Sequence, residues 1–193
     1  AMKSENMTEI TNSIVQILTD CILTENVKVE TLSTFDIEYL FLNVRARSVG
    51  ETVDVNITCP DDEETQVEMT IDIDSIKIQK TRGHKNIIKL DDNLSMKLRY
   101  PSLQQFIENN FETGENISEV GQSLSMITSC IDMIYNDEES WESSDYSKKE
   151  LDEFIEQMNT KQFKQIEKFF TTMPKLSHKL MVKNPNTGVE SEV

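Results

Sequence analysis

Residues 34–50 read Thr34-Phe-Asp-Ile-Glu-Tyr-Leu-Phe-Leu-Asn-Val-Arg-Ala-Arg-Ser-Val-Gly50, and this segment decides how the chain is organised. Its apolar residues recur at the spacing of one helical face, at Ile37, Leu40, Phe41 and Val44. Gly50 is suited to end the helix, since glycine adopts the left-handed backbone common just past a helix end. Because further apolar residues widen this surface, we predict a central core helix over 34–49 that is the most buried element of the protein.

Two hairpins are predicted after this helix. Apolar residues alternate with polar ones over 53–57 and 67–73, on either side of an acidic turn, which is the pattern of an antiparallel hairpin with one buried face. A second alternating pair, 87–90 and 94–98, flanks Asp91-Asp92-Asn93, whose side chains favour tight turns. The sequence therefore predicts small antiparallel sheets in this region.

Much of the remaining chain has helical periodicity. Amphipathic helices are predicted over 7–24, from about 101 to 110, and over 115–135. Cys21 lies within the apolar stripe of the first of these helices. We therefore predict that Cys21 is a small buried core residue rather than a reactive thiol.

The last third of the chain contains helix-capping residues and an acidic segment. Ser147-Lys-Lys-Glu150 matches a capping box, and Thr160 is suited to cap the next helix. A final hairpin is predicted over 176–193. The segment 136–146 is rich in acids and serines and contains the only tryptophan of the chain, so we predict a loop there.

Together these elements predict an α+β fold. N-terminal and central helices pack on small antiparallel β-hairpins, followed by a C-terminal helical lobe and a closing hairpin. We divide the chain into residues 1–100, with the N-terminal helices and β-ribbons, and residues 101–193, with the helical lobe and terminal hairpin, although both can form one continuous domain. Ala1-Met2 resembles a tag-cleavage scar and Val193 interrupts a strand-like pattern, so we expect the natural protein to extend beyond both ends.

The run Phe35-Asp-Ile-Glu-Tyr-Leu-Phe-Leu-Asn-Val-Arg-Ala-Arg-Ser-Val-Gly-Glu51 is followed at once by a strand that ends in Cys59-Pro60. This arrangement resembles the signature of the baseplate hub assembly proteins of T-even-like, contractile-tailed bacteriophages. The resemblance implies a phage morphogenesis protein that helps to build the central hub of the tail baseplate. It also implies that other hub or tape-measure proteins are the partners, and that the protein is not an enzyme and needs no cofactor. The expected location is the host cell cytoplasm during assembly, or the tail baseplate of the virion.

The charge balance narrows the class of partner. The chain has 35 acidic against 19 basic residues and a net charge of −16. Nucleic acid and anionic membranes would need a basic face, so neither is expected as a partner, whereas a basic protein is. No apolar run approaches the roughly 18 residues of a membrane span.

The segment around Cys59-Pro60 has the outline of a metal knuckle, and Asn184-Pro-Asn-Thr-Gly188 repeats that outline near the end. Zinc ribbons use two such knuckles, each normally with Cys-x-x-Cys. Here Cys59 is a lone thiol and the second turn has no cysteine, so we predict hairpins that fold without metal. The other two cysteines, Cys21 and Cys130, lie far from Cys59 in sequence. This spacing argues against a disulfide framework and favours a reducing cytosol. The alternative to the hub function is a degenerate zinc-ribbon-like regulatory protein that binds nucleic acid.

The sequence contains no catalytic constellation. His84 and His178 are the only histidines, and because neither has a partner nearby in sequence, we expect both to be surface or partly buried residues. The acidic residues show no spacing that singles out a catalytic pair, and solvated faces explain them. A Gly-rich phosphate loop and the common hydrolase motifs are missing. We therefore predict no catalytic residues and no metal ligands.

Three residues are candidates for partner binding. Arg45 and Arg47 carry guanidinium groups suited to carboxylates at interfaces, but they can also complement the C-terminal end of the helix and pair with acids such as Glu51, and the sequence favours this local role. Trp141 is an aromatic residue among polar ones, which is typical of an interface anchor, but it can also fold back onto the helices. The sequence alone leaves both alternatives open.

Overall fold

The computed structural model describes residues 2–107 and 119–193, and it confirms the predicted α+β class. The described helices are α1 (Met2–Cys21), α2 (Thr34–Ser48), α3 (Leu103–Ile107), α4 (Glu119–Ser129), α5 (Lys148–Glu156) and α6 (Thr160–Thr172). The described strands are β1 (Thr52–Thr58), β2 (Gln66–Asp72), β3 (Lys77–Gln79), β4 (Ile87–Lys89), β5 (Ser95–Leu98), β6 (Ile131–Tyr135), β7 (Ser140–Glu142), β8 (Lys175–Ser177), β9 (Met181–Lys183) and β10 (Glu190–Glu192). They form antiparallel pairs β1–β2, β3–β8 and β9–β10, and one antiparallel sheet in the order β4-β5-β6-β7.

The chain forms two compact units that are interleaved in sequence. The first contains Ala1–Ile37 and Lys80–Pro174, and the second contains Glu38–Gln79 and Lys175–Val193. The division predicted from the sequence follows chain order instead, with a boundary at residue 100. Strand pairing explains the difference, because β5 lies before that residue and β6 after it, and the two are neighbours in one sheet.

The core of the first unit is built from the four-stranded sheet together with α4, α5 and α6. Its buried side chains are Ile88, Leu90, Met96, Leu98, Ile127, Ile131, Ile134, Ile155, Ile166 and Phe169. The sheet contributes through alternation, since Met96 and Leu98 are two residues apart and both are buried. The helix α6 contributes through its spacing of three, with Ile166 and Phe169 on one face. Full burial of one such side chain stabilises the fold by about 1.5–3 kcal/mol.

Helix α2 is confirmed, but the prediction that it is the most buried element is wrong. In this helix Phe35, Ile37 and Ala46 are buried, whereas Leu40 and Phe41 are only half-buried. The physical reason is that the apolar residues of α2 are distributed around the helix. A single neighbouring surface can cover one stripe of a helix but not its whole circumference.

Helix α1 is confirmed, but much of its predicted apolar face is exposed. Leu18 is fully buried, while Ile10 and Ile17 are 47% and 42% exposed. The prediction that Cys21 is a core residue is wrong, because Cys21 is the last residue of α1 and is exposed. Helical spacing shows which residues share a face, but it does not show how far a neighbour extends along that face.

The prediction of a single helix over 115–135 is wrong for the residues after Ser129. Helix α4 ends at that residue, and the chain continues as strand β6. Ile131 and Ile134 are compatible with the helical spacing, but they are β-branched and pair well in a sheet. Pairing with β5 satisfies the backbone hydrogen-bonding groups of β6, and this segment is therefore a strand and not a helix. The parts of the predicted helices that fall on 108–118 lie outside the described residues.

The second unit contains three two-stranded antiparallel pairs. β1 and β2 pair along their full length, from Thr52 opposite Asp72 to Thr58 opposite Gln66, and confirm the first predicted hairpin. The final hairpin predicted over 176–193 is only partly correct. β9 and β10 pair as expected, but β8 pairs with β3, where Leu176 lies opposite Ile78.

Local side chains set the starts of the last two helices. Ser147 and Glu150 form the predicted capping box at the start of α5, and the Ser147 amide donates to Glu150 Oε2 at 2.8 Å. At the start of α6 the cap is Asn159 and not Thr160. Asn159 Oδ1 accepts from the backbone amide of Gln162 at 3.0 Å, and Thr160 is already the first residue of the helix. Asparagine ranks above threonine as an N-cap, which accounts for this one-residue difference.

Candidate functional site

Two turns of the second unit meet through polar side chains. The turn 59–65 joins β1 to β2, and the turn 184–188 joins β9 to β10. Asn184 donates its side-chain amide to both oxygens of Asp61 at 3.1 Å and to Asp62 Oδ2 at 2.8 Å. Thr187 Oγ1 donates to Asp61 Oδ2 at 2.5 Å. We call these four residues the polar clasp.

Each turn also holds its clasp residues from within. Asp62 Oδ1 accepts from the backbone amide of Thr65 at 3.0 Å, and Asn184 Oδ1 accepts from the amide of Asn186 at 2.8 Å. Asn184 is completely buried, so both polar atoms of its side chain need partners, and both have them. Gly188 has a φ of 77°, a left-handed backbone that glycine adopts without strain.

The hydrogen bonds keep both carboxylates of the polar clasp ionised. The Thr65 hydroxyl is the main cause that holds the pKa of Asp62 well below its ordinary value of 3.8. Thr187 is the main cause that lowers the pKa of Asp61, and Asn184 lowers it further. Burial is the main cause that raises the pKa of the adjacent Cys59 thiol, and the carboxylates of Asp61 and Asp62 raise this pKa further. The site therefore combines two anions with a thiol that resists ionisation.

The spacing of paired metal knuckles is retained here, but the donors do not fit zinc. Positions 59, 62, 184 and 187 have the two-residue separations of a zinc ribbon, and they hold a thiol, a carboxylate, an amide and a hydroxyl. The amide nitrogen and the hydroxyl direct hydrogens, not lone pairs, at the carboxylates. Across the ranges 2–107 and 119–193, no three His, Cys, Asp or Glu side chains lie close enough together to hold a metal ion. The zinc-ribbon alternative therefore finds no support.

Arg45 and Arg47 lie in the last turn of α2, in the second unit. Arg47 Nη1 is 3.4 Å from Glu51 Oε1, and both side chains are mostly exposed. Arg45 Nη1 donates to the backbone oxygen of Thr52 at 3.5 Å. Exposed pairs of this kind add little to stability, so the local contacts leave Arg47 accessible. A partner-binding role for the two arginines stays a prediction, and Trp141, the third candidate, belongs to the other unit.

Trp141 lies in β7 at the edge of the four-stranded sheet, so the prediction of a loop over 136–146 is wrong at Ser140–Glu142. A tight turn, in which the Asn136 amide donates to the Glu139 oxygen at 2.9 Å, brings the chain back beside β6. There Trp141 pairs opposite Ile134 and is half-buried against the core of the first unit.

Trp141 also borders a cavity of about 400 Å³, which we call the Trp141 pocket. Its lining residues are Leu94, Ile131, Ile134, Trp141, Ser143, Tyr146, Glu150, Leu151 and Phe154. Trp141 therefore folds back onto the core, which is one of the two predicted alternatives, and its role as an interface anchor stays a prediction. Neither Tyr146 nor Phe154 was predicted from the sequence as a site residue. Leu151 and Phe154 are three residues apart and share one face of α5, and this spacing was the sequence signal for the side of the pocket that α5 forms.

His84 lies among aromatic rings in the first unit. Its ring stacks with Tyr100 at a centroid distance of 5.7 Å and contacts Phe169 at 5.2 Å. Thr172 Oγ1 donates to the Lys168 oxygen at 2.6 Å, so His84 Nδ1 must supply the hydrogen for its own 2.9 Å bond to Thr172. His84 Nε2 is buried without a hydrogen-bond partner in the described part of the chain. Burial lowers the pKa of His84 from its ordinary value of 6.5, and the ring is therefore held neutral.

In the described part of the chain, no helix has the length and apolar character that crossing a membrane would require. Comparison with curated proteins and with solved structures found no match. The family model described as T4 bacteriophage base plate protein matches residues 1–193, the full length of the sequence. The chain therefore belongs to the family of T4 bacteriophage base plate proteins.

Proposed function

We propose that this protein acts in the assembly of the central hub of the phage tail baseplate, through contacts with other hub or tape-measure proteins and without catalysing a reaction. The observation that carries the proposal is the match of residues 1–193 to the base plate family. The narrower hub role is supported by residues 35–51, which resemble the signature of hub assembly proteins. The proposed action takes place in the host cell cytoplasm while tails assemble, with the virion baseplate as the alternative location.

Of the two described sites, the Trp141 pocket supports a role in protein contacts, whereas the polar clasp does not. The polar clasp uses its hydrogen-bonding groups within the protein, which suits a structural joint. The Trp141 pocket is mainly apolar and includes Tyr146, which is 41% exposed. Exposed aromatic side chains around an apolar depression are typical of protein interfaces.

Loss of the protein during infection tests the hub role. Tails and baseplate intermediates would be purified from cells infected with phage that lack the gene, and their proteins quantified by mass spectrometry. We expect baseplate material depleted in hub and tape-measure proteins, with normal composition restored when the full chain is supplied in trans. Baseplates of normal hub composition in the absence of the protein would contradict the proposal. Quantification of the protein in purified virions separates a transient assembly factor from a lasting subunit.

A further inference from the structure

The Trp141 pocket has the size and lining of a site for one bulky apolar side chain. Its volume of about 400 Å³ falls in the range of about 300–1,000 Å³ that is usual for ligand pockets. Three aromatic residues, Trp141, Tyr146 and Phe154, contribute to the lining. Aromatic walls offer large contact area at low cost in side-chain entropy, so an inserted apolar group would be well covered.

The segments that form the pocket are strongly acidic. Residues 137–153, from the turn before β7 to the middle of α5, contain eight carboxylates and two lysines. The carboxylates are Asp137, Glu138, Glu139, Glu142, Asp145, Glu150, Asp152 and Glu153. Those of Asp137, Glu138, Glu139 and Asp145 are exposed and form no salt bridge within residues 2–107 and 119–193.

The nearby cations are too few to neutralise this surface. Lys97 interacts with Glu142, but its Nζ forms a salt bridge with Asp132 at 2.6 Å. Lys148 Nζ donates to Ser125 Oγ at 2.6 Å, and Lys149 Nζ lies 3.8 Å from a carboxylate of Glu153. Arg99 donates through Nη2 to Ser143 Oγ and to a backbone oxygen of β6, both at 2.7 Å. The pocket thus keeps an excess of negative charge on the side of β7 and the turn before it.

We propose that the Trp141 pocket is the docking site for a cationic amphipathic segment of another baseplate protein. One bulky apolar side chain of the segment enters the pocket, and its flanking lysines or arginines lie against the carboxylates of 137–145. The identity of the partner as a baseplate protein rests on the proposed function, whereas its charge and apolar anchor follow from the pocket.

Charge argues against the other occupants. A second copy of this chain also carries a net charge of −16, so two such surfaces would repel each other. A neutral apolar segment would fill the pocket but leave the carboxylates unpaired. A cationic segment gains both apolar burial and electrostatic attraction, and the attraction speeds association and suppresses wrong partners.

The test uses the intrinsic fluorescence of Trp141, since it is the only tryptophan of the chain. Overlapping tryptophan-free peptides that cover all baseplate and tape-measure proteins of the same phage would be titrated into the full chain. We expect saturable changes in fluorescence from peptides that combine a positive charge with a bulky apolar residue. Binding should weaken when salt rises from about 0.1 M to about 1 M, which shortens the Debye length from about 10 Å to about 3 Å.

Two variants separate the apolar and the electrostatic parts of the site. Tyr146→Ala should weaken binding about tenfold and keep its salt dependence, because it removes lining and no charge. The triple variant D137N/E138Q/E139Q should weaken binding and flatten the salt dependence. Its matched control, E63Q/E64Q/E68Q, removes the same charge from exposed positions of the second unit and should bind like the natural chain.

Three outcomes would overturn the docking proposal. They are the absence of any binding peptide, a preference for neutral or acidic peptides, and equal effects of the two triple variants. Each of these would leave the proposed hub function intact, because that function is tested by the composition of baseplates. Conversely, cationic baseplate peptides could bind the pocket while phage that lack the gene still build normal hubs. This result would support the docking site and contradict the hub role.

Discussion

Asn184 donates its side-chain amide to Asp62 Oδ2 at 2.8 Å, and this bond joins two turns that lie 122 residues apart in sequence. In a zinc ribbon the corresponding knuckles are joined by a metal. Here the polar clasp joins them with hydrogen bonds to ionised carboxylates, which are stronger than bonds between neutral groups. The second unit therefore keeps the outline of a metal-bound ribbon without the donors that a metal needs.

The first prediction concerns the contribution of Asn184 to stability. Asn184→Ala should lower the free energy of unfolding by about 1–3 kcal/mol, because it removes a buried donor on which two carboxylates depend. Asn56→Ala, an exposed change in β1, is the control and should have little effect. Urea unfolding of both variants measures the difference. A chelator should leave the melting curve of the natural chain unchanged, and a chelator-induced loss of folding would contradict the clasp.

The second prediction concerns a variant with a cysteine at each of the four knuckle positions. The variant D62C/N184C/T187C adds three cysteines to Cys59 at the four knuckle positions, and we expect it to bind one zinc or cobalt ion. Cobalt titration followed by thiolate absorption checks the stoichiometry, and zinc should raise the melting temperature. The same variant with Cys59→Ser is the control and should bind more weakly. If the four-cysteine variant bound no cobalt, the two turns would not present ribbon geometry.

The start of α6 provides a third prediction. Asn159→Ala should cost about 1 kcal/mol of stability, the usual loss for an N-cap. Thr160→Ala should be nearly neutral, because Thr160 lies inside the helix and alanine favours helix. Chemical denaturation followed by tryptophan fluorescence compares the two. Equal losses of stability in the two variants would mean that Thr160 also caps the helix, as predicted from the sequence.

The fourth prediction ranks two phenylalanines of the same helix. Phe169 is 2% exposed and Phe163 is 37% exposed. Phe169→Ala should cost about 3–5 kcal/mol, as expected for a fully buried aromatic residue, and Phe163→Ala clearly less. Both changes have similar effects on helix propensity, so the difference reports burial. Similar losses of unfolding free energy would show that the core of the first unit is not centred on Phe169.

The fifth prediction concerns acid sensitivity. The pKa of His84 is below 6.5 in the folded protein, so the unfolded chain binds the proton more readily than the fold does. The stability due to neutral His84 is therefore complete above about pH 6.5 and is lost as the pH falls below that value. His84→Phe keeps an aromatic ring and should flatten the change in melting temperature between about pH 7 and about pH 5.

His178→Gln is the matched control for this experiment, because it removes the other histidine of the chain. It should leave the pH dependence between about pH 7 and about pH 5 in place. If His84→Phe and His178→Gln gave the same pH profile as the natural chain, another group would have to account for the acid sensitivity.

Local sequence was sufficient for the elements whose interactions are local. The β1–β2 hairpin follows from alternation around one turn, and the capping box of α5 from Ser147 and Glu150, three residues apart. Both are stabilised by residues that are close in sequence, so spacing alone identifies them. The family signature over 35–51 is local in the same sense.

Only the tertiary structure decided the features that depend on distant partners. Residues 131–135 are compatible with helical spacing, but β5 and β7 make them a strand. Trp141 is in a strand because β6 pairs with it, and Cys21 is exposed although it continues the apolar stripe of α1. The polar clasp depends on Asn184 reaching Asp61 and Asp62 across more than half of the chain. Periodicity records which residues share a face, but burial and pairing depend on what covers that face, and that is set by contacts between segments that sequence spacing does not connect.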